Sequence, residues 1–303
     1  MIRPVRFESN PHTAESNRFQ GRSNRDAAGQ QQAALAEFDR LAAELRSAGI
    51  DVIVVNDTPE PHTPDSVFPN NWLSMHADGR AVLYPMEAPN RRTERREDIL
   101  SALVDEHGFR ISELVDLTTH EERNEFLEGT GSLVLDRCNR IAYACFSSRT
   151  HPDALAEFAI RLDYEIVAFD AVDRSGDPIY HTNVMMNVGE QLAVICDASI
   201  ADDAQRQAVI QRLEETGHKV LKLSFDQLDA FAGNMLELRN SAGERVVAMS
   251  KSAYDSLNAD QLTALKENGH LVFSAIDDIE ASAGGSVRCM LAEVHLPRQD
   301  SRD

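Results

Sequence analysis

The sequence predicts an α/β fold in which five strand–strand–helix–strand units close into a ring. Amphipathic helix-like segments recur five times, and each leads into a short β-like run. After each run comes a polar, often glycine-containing stretch and then a pair of strands joined by a turn. Counted from Phe68, Glu128, His181, Gly233 and Gly285, the pairs open at intervals of 60, 53, 52 and 52 residues. A unit of that size cannot bury its own apolar face, so the copies must pack on one another. Two successive α/β domains would not explain why all five copies share one order of elements.

The helices are expected at about 29–48, 91–107, 151–163, 202–216 and 256–268. The runs that follow are "IDVIVVN", "FRISELVDL", "YEIVAFDAV", "HKVLKLSF" and "HLVFSAI". Gly49, Gly108, Gly217 and Gly269 stand where a C-cap would. The third junction, "RLDYEI", has no glycine. The strand pairs begin near "FPNNWLSM", "EGTGSLVL", "HTNVMMNV", "GNMLELRN" and "GGSVRCML", with turn signals such as "HADGR", "NVGEQ" and "NSAGE" inside three of them. In "YHTNVMM" (180–186) the period of two places His181 and Asn183 on one face of a strand. No Pro/Gly/Ser-rich linker divides the chain, so residues 1–303 are expected to form one catalytic domain.

Composition narrows the function. The chain has 303 residues, 42% hydrophobic and 26% charged, with a net charge of −20. That charge argues against nucleic acid or an anionic membrane as a partner. No apolar run approaches the roughly 18 residues of a membrane span, and the start, "MIRPVRFESNPHTAESNRFQ", lacks the apolar core of a secretory signal. Cysteines 138, 145, 196 and 289 are too few and too scattered for a disulfide framework, and no CxxC pair points to zinc. The expectation is a cytoplasmic protein without metal or cofactor. The sequence sets no oligomeric state, and a homodimer is compatible with it.

The positions expected to face the ring axis carry the chemistry. "PDSVFPNNW" (64–72) supplies Asp65, Phe68, Asn70 and Asn71, and "EGTG" supplies Glu128. "HTN" supplies His181 and Asn183, "AGNMLE" (232–237) Asn234, and "GGSVRCM" (284–290) Cys289. A cysteine, a histidine and a carboxylate converging from separate units form a set for nucleophilic catalysis. The thiolate attacks a planar electrophilic carbon while the imidazole moves protons. Gly284 and Gly285 would let backbone approach the substrate closely. Singly, each residue has a blander reading: a strand-end histidine, a buried small cysteine, an exposed arginine in "RRTERRED" or "SSRTH". Their shared place in the repeat is what raises them.

These segments resemble the guanidino-group-modifying enzymes, the pentein superfamily of arginine deiminases, dimethylarginine hydrolases and glycine amidinotransferases. The resemblance covers essentially the whole chain and implies a five-bladed α/β propeller of ββαβ units around a central active site. "PDSVFPNNW" is similar to the family's PD-x-VF motif, "EGTGSLV" to its acid-Gly-Gly segment, "HTN" to its His-x-Asp/Lys segment, and "GGSVRCM" to its C-terminal cysteine motif. Carried over by motif, Cys289 is the nucleophile, His181 the general acid/base and Glu128 its paired acid. Asp65, with Phe68, Asn70, Asn71 and Asn183, would surround the substrate's head group. Arg91 in "APNRRTE" and Arg149 in "SSRTH" would hold the amino-acid end.

The departures from the family pattern are informative. Asn70, Asn71 and Asn183 stand where arginine-processing members place carboxylates, and the second acid of the Glu/Asp segment is absent. A carboxylate only accepts hydrogen bonds, whereas an amide both donates and accepts. A guanidinium facing only amides would forgo charge-assisted bonds of about 1.5–3 kcal/mol each. The expected substrate is therefore a small amino acid with a neutral ureido group, citrulline, hydrolysed to ornithine, ammonia and carbon dioxide. The opening segment also resembles the bacterial citrulline-utilisation hydrolases, often labelled amidinotransferase. Rival readings are an arginine deiminase or dimethylarginine hydrolase, an amidinotransferase, and a non-catalytic ribosome-subunit-binding pentein.

Overall fold

A computed structural model describes residues 1–14, 16–21 and 25–299. Four sheets of three strands share one topology, in which an antiparallel pair is extended by a third strand parallel to the second. They are Leu73–Met75, Arg80–Leu83 and Glu113–Asp116; then Val134–Asp136, Ile141–Cys145 and Glu165–Phe169. The third comprises Met186–Val188, Leu192–Ile195 and Lys219–Lys222, and the fourth Leu236–Arg239, Arg245–Ser250 and His270–Ser274. A parallel pair needs a crossover, and the helices Glu97–Asp105, Pro152–Leu162, Asp203–Glu215 and Ala259–Asn268 supply one to each sheet.

The fifth unit departs from its expected form. Val287–Met290 is a single 3-10 turn, and among residues 291–297 no strand is assigned. The remaining sheet pairs Ile2–Arg3 in parallel with Val55–Asn56, across the helix Ala27–Ser47. The amino-terminal strand thus stands where a second carboxy-terminal one was expected. Helix 91–107 also divides, because Pro89–Glu94 forms a 3-10 segment before Glu97–Asp105 begins.

Local chemistry explains the helix limits. Asp26 and Asp202 cap by accepting from Gly29 N and Gln205 N, and Asn258 forms a capping box with Gln261. Gly49, Gly108 and Gly217 have φ of 82°, 67° and 89°, the left-handed conformation a C-terminal glycine permits. Gly269 is instead extended, at φ −175°. At the glycine-free third junction Asp163 adopts φ 57°, since aspartate tolerates that region better than most residues. In Pro152–Leu162 the buried stripe Ala154, Leu155, Phe158 and Leu162 faces the sheet, so Phe158→Ala would cost about 3–5 kcal/mol.

The strand pairs do not open as strands. Pro69–Asn71, Gly129–Ser132, Thr182–Met185 and Val287–Met290 are each a short helical turn. His181 is extended, at φ −135° and ψ 135°, and Asn183 lies inside the turn that follows, so the two do not share a strand face. Val184, Met185 and Met186 are all fully buried. With apolar surroundings on every side, that run has no polar-alternating face to reveal its backbone.

Candidate active site

Two glycines let the turns meet. Gly129 has φ 47°, and a Cβ there would lie 2.2 Å from the Asn70 carbonyl oxygen. A Cβ on Gly131 would lie 2.5 Å from Asn71 Nδ2 and 2.7 Å from His181 Nδ1. The "EGTG" segment is therefore wedged between the first and third units, which brings Glu128 to His181. Gly284 and Gly285 serve a different contact from the one expected: their missing side chains admit Asn17 and the Phe68 ring, each within 3 Å of where a Cβ would be.

His181 Nε2 lies 2.8 Å from Glu128 Oε2, and both residues are buried. The carboxylate accepts a hydrogen bond from Nε2–H, which leaves Nδ1 of the neutral ring as the acceptor. Burial pushes the imidazole down from its ordinary 6.5 to about 4, against the opposing pull of Glu128, so His181 is neutral at neutral pH. Burial alone would raise the Glu128 carboxyl. Arg149 at 3.4 Å, the His181 bond and Arg91 at 3.8 Å outweigh it and hold the group well below the usual carboxylate range.

Arg91 and Arg149 are committed to protein partners. Arg91 forms a two-pronged pair with Glu94 at 2.9 and 3.0 Å and donates to Asn71 Oδ1 at 2.9 Å and to the Phe68 carbonyl at 3.4 Å. Arg149 reaches Glu87 at 3.2 Å, Ser16 Oγ at 2.7 Å and the Thr13 carbonyl at 3.5 Å. Asp65 accepts from Asn10 Nδ2 at 2.7 Å and lies 3.6 Å from Arg91. The buried carboxylates Asp65, Glu94 and Glu128 thus outnumber the buried guanidinium groups of Arg91 and Arg149.

Asp65, Phe68, Asn71, Arg91, Arg149 and His181 line a cavity of ≈ 10 Å³, room for about one water. Thr13 and Asn17 of the amino-terminal segment complete its wall, with Tyr180 and Ala283. Asn17 Nδ2 donates to the Ala283 and Gly284 carbonyls at 3.1 and 3.3 Å, and Phe19 packs on Tyr180 and Phe231. Arg18 pairs with Asp173 and Asp229. A wider cavity of ≈ 980 Å³ reaches Asn183 but includes none of Asp65, Glu128, His181 or Cys289, and the smaller one is lined by neither Glu128 nor Cys289. Convergent polar groups, not volume, mark the candidate site.

Cys289 is buried, and its Sγ lies 3.4 Å from Asn183 Nδ2 and 3.3 Å from Asn234 Nδ2. The structure therefore aims Asn183 at the cysteine rather than placing it among the residues that line the cavity. Asn70 also stands outside the cavity wall, donating to Thr130 Oγ1 at 3.3 Å. Asn10, Thr13, Glu94 and Tyr180 are site residues the sequence reading did not find. Asn10 and Thr13 lie in a segment without periodicity, and Glu94 was hidden in an expected charged helix face. Away from the site, half-buried Glu125 and His151 and exposed Asp153 bring ligand atoms within 4.8 Å of one another. Among the described residues no helix is long and apolar enough to cross a membrane.

The architecture has solved counterparts. The amino-terminal domain of ArgZ, an arginine dihydrolase from cyanobacteria, superposes with a TM-score of 0.72 at 19% identity over 98% of both chains; one such structure holds a covalently bound reaction intermediate. AgrE with ornithine and NAD+ gives 0.73 at 19%, over 99% of this chain but 39% of that longer one. A dimethylarginine dimethylaminohydrolase variant carrying an S-methyl-L-thiocitrulline adduct gives 0.61 at 13%, over 95% and 96%. No curated protein sequence matches the chain at a significant level. The profile of eukaryotic N,N-dimethylarginine dimethylhydrolases matches residues 3–296. The chain belongs to the N,N-dimethylarginine dimethylhydrolase family of the pentein superfamily, and is with it a hydrolase acting on C–N bonds.

Proposed function

We propose that this chain hydrolyses the terminal ureido group of citrulline to ornithine, ammonia and carbon dioxide, through a covalent bond to Cys289. One observation carries the reading. Asn71 and Asp65 line the same small cavity, and each keeps one buried atom without a partner, Asn71 Nδ2 and Asp65 Oδ1. Arg91 holds Asn71 Oδ1, so the Asn71 amide offers its N–H to the cavity. A donor beside an acceptor fits a group that has both a carbonyl oxygen and N–H bonds.

In the proposed reaction the Cys289 thiolate adds to the ureido carbon, and His181 Nδ1–H protonates the departing nitrogen after taking up the thiol proton. Water, deprotonated by His181, then attacks the carbamoyl thioester. The C–S bond breaks, the thiolate returns, and the carbamate loses carbon dioxide. One water is consumed per citrulline. Glu128 steadies the imidazole and its transient positive charge. Asp65, Phe68 and Asn71 orient the head group, Arg91 keeps Asn71 in place, and Arg149 exchanges its bonds to Ser16 and Thr13 for the substrate carboxylate. We further propose that the five sheets are the blades of one closed propeller, a single catalytic unit over residues 1–303.

The buried Glu94 carboxyl, which burial pushes up to about 7 and a bound guanidinium would draw into its charged form, favours a second reading, in which arginine enters first and reaches ornithine by two hydrolyses. Likeness in fold to an arginine dihydrolase supports it. Supplying citrulline, arginine and dimethylarginine separately, with ornithine, citrulline and ammonia quantified, tests both. Ornithine from citrulline supports the first reading, and ornithine from arginine with two ammonia released supports the second. Citrulline as the end product of arginine or dimethylarginine would overturn both.

A further inference from the structure

Asn234 enters from the fourth unit and has no place in the reaction drawn above, yet its bonding is fully determined. Its Oδ1 accepts the backbone N–H of Arg288 at 3.0 Å, which fixes the amide's orientation. Its Nδ2 donates to the Asn183 carbonyl at 3.0 Å, and its second hydrogen is left for Cys289 Sγ at 3.3 Å. Asn183 repeats the pattern: Nδ2 donates to the Thr130 carbonyl at 3.1 Å and to Cys289 Sγ at 3.4 Å. All four amide hydrogens are thereby assigned, two of them to one sulfur, while the two amide oxygens that could accept from a thiol stand farther off, at 3.8 Å each. Both asparagines are buried, at 0% and 1% exposure.

We propose that Asn234 and Asn183 form a neutral two-donor cradle that stabilises the thiolate Cys289 becomes when His181 takes its proton, making Asn234 a catalytic residue. The inference rests on Cys289 being the nucleophile. Hydrogen bonds to an ionised acceptor are stronger than those to a neutral one, so a pair of N–H donors favours sulfur in its charged form. In the resting site the ionisable groups nearby supply no positive charge to the sulfur. Arg288 turns its guanidinium to the Leu291 carbonyl and to Glu293, at 2.9 and 2.6 Å. His181 is neutral and held by Glu128, Tyr180 donates to the Gly284 carbonyl at 2.5 Å, and Glu280 accepts from Ser286 at 2.6 Å. The cradle also explains asparagine at 183: an aspartate there would set a second negative charge against the sulfur.

The test is alkylation of Cys289 by iodoacetamide, located by peptide mapping because Cys138 is exposed and Cys289 buried. In Asn234→Ala and in Asn183→Ala the rate at neutral pH falls at least about tenfold, as expected for one charge-assisted bond, and recovers at alkaline pH. Asn183→Ala leaves the Asn234 bond to Arg288 N in place, so it reads the same effect if Asn234→Ala fails to fold. An unchanged neutral-pH rate in a folded variant, or a rate depressed equally at every pH, overturns the cradle. Turnover retained by Cys289→Ala would instead overturn the proposed function, which keeps the two failures distinct.

Discussion

The two walls of the site handle charge in opposite ways. Around His181 the wall is ionic: Glu128, Asp65 and Glu94 meet Arg91 and Arg149 with almost no solvent between them. Around Cys289 the polar contacts to the sulfur come from two neutral amides, inside a cluster that also holds Phe68, Val67, Val287 and Met290. Buried ions are tolerable only when compensated, and removing one partner strands the other. Amides carry no such obligation. The ionic wall is thus suited to fixed positions, and the amide wall to a group whose charge appears and disappears within a catalytic cycle.

The largest effect should come from the amide side. Cys289→Ala is expected to lower turnover at least about 10³-fold while circular dichroism stays native; detectable ornithine formation near the wild-type rate would erase the contrast. Glu128→Gln follows. It removes the anion shared by His181, Arg149 and Arg91, so stability should fall by about 3–5 kcal/mol in urea titrations, and turnover by about 10²-fold or more. A loss of stability within error of wild type would mean the arginines find other partners.

Next comes Asn183→Asp, which brings a carboxylate to the Cys289 side. Neutral-pH alkylation and turnover should both drop about tenfold or more; a gain on any substrate would contradict the cradle. Acidification acts on the ionic wall. The folded-state titration of His181 is depressed from 6.5 to about 4, so between these values the unfolded chain binds the extra proton and stability falls with falling pH. Glu128, also depressed, adds a loss at still lower pH. His181→Gln should lessen the change between about pH 6.5 and 4 in denaturation midpoints, relative to wild type, leaving the share of His76, which burial depresses from 6.5 to about 3. The smallest effect is expected of Asn10→Ala, which frees Asp65 from its 2.7 Å partner in the amino-terminal segment. KM should change a few-fold with kcat nearly unchanged, and a collapse of kcat would place Asn10 in the chemistry.

Much of this was legible in the sequence, because a repeat converts weak single-residue signals into positions. The intervals placed Glu128, His181, Asn234 and Cys289 at equivalent points, and the four regular sheets follow the expected order of elements. Illegible features share one cause: contacts between segments far apart in the chain. Asn183 reads as a strand residue because Val184, Met185 and Met186 are apolar, yet bonds to Thr130 and Asn234 set its direction. The fifth unit's expected pair gives way to a turn in which Asn234 captures Arg288 N. Arg91 and Arg149 were expected to await a substrate and are engaged by Glu94, Glu87 and Ser16. Nothing in "SNPHTAESN" announces that Asn10 and Thr13 reach Asp65.

The most direct test is to incubate the purified chain with citrulline carrying a labelled ureido carbon, quench during turnover, and map the label by mass spectrometry. The account predicts a carbamoyl adduct on the peptide containing Cys289, with label otherwise recovered as carbon dioxide and one ornithine formed for each citrulline lost. Turnover of citrulline without an adduct on Cys289, or no ornithine from citrulline at all, would contradict it.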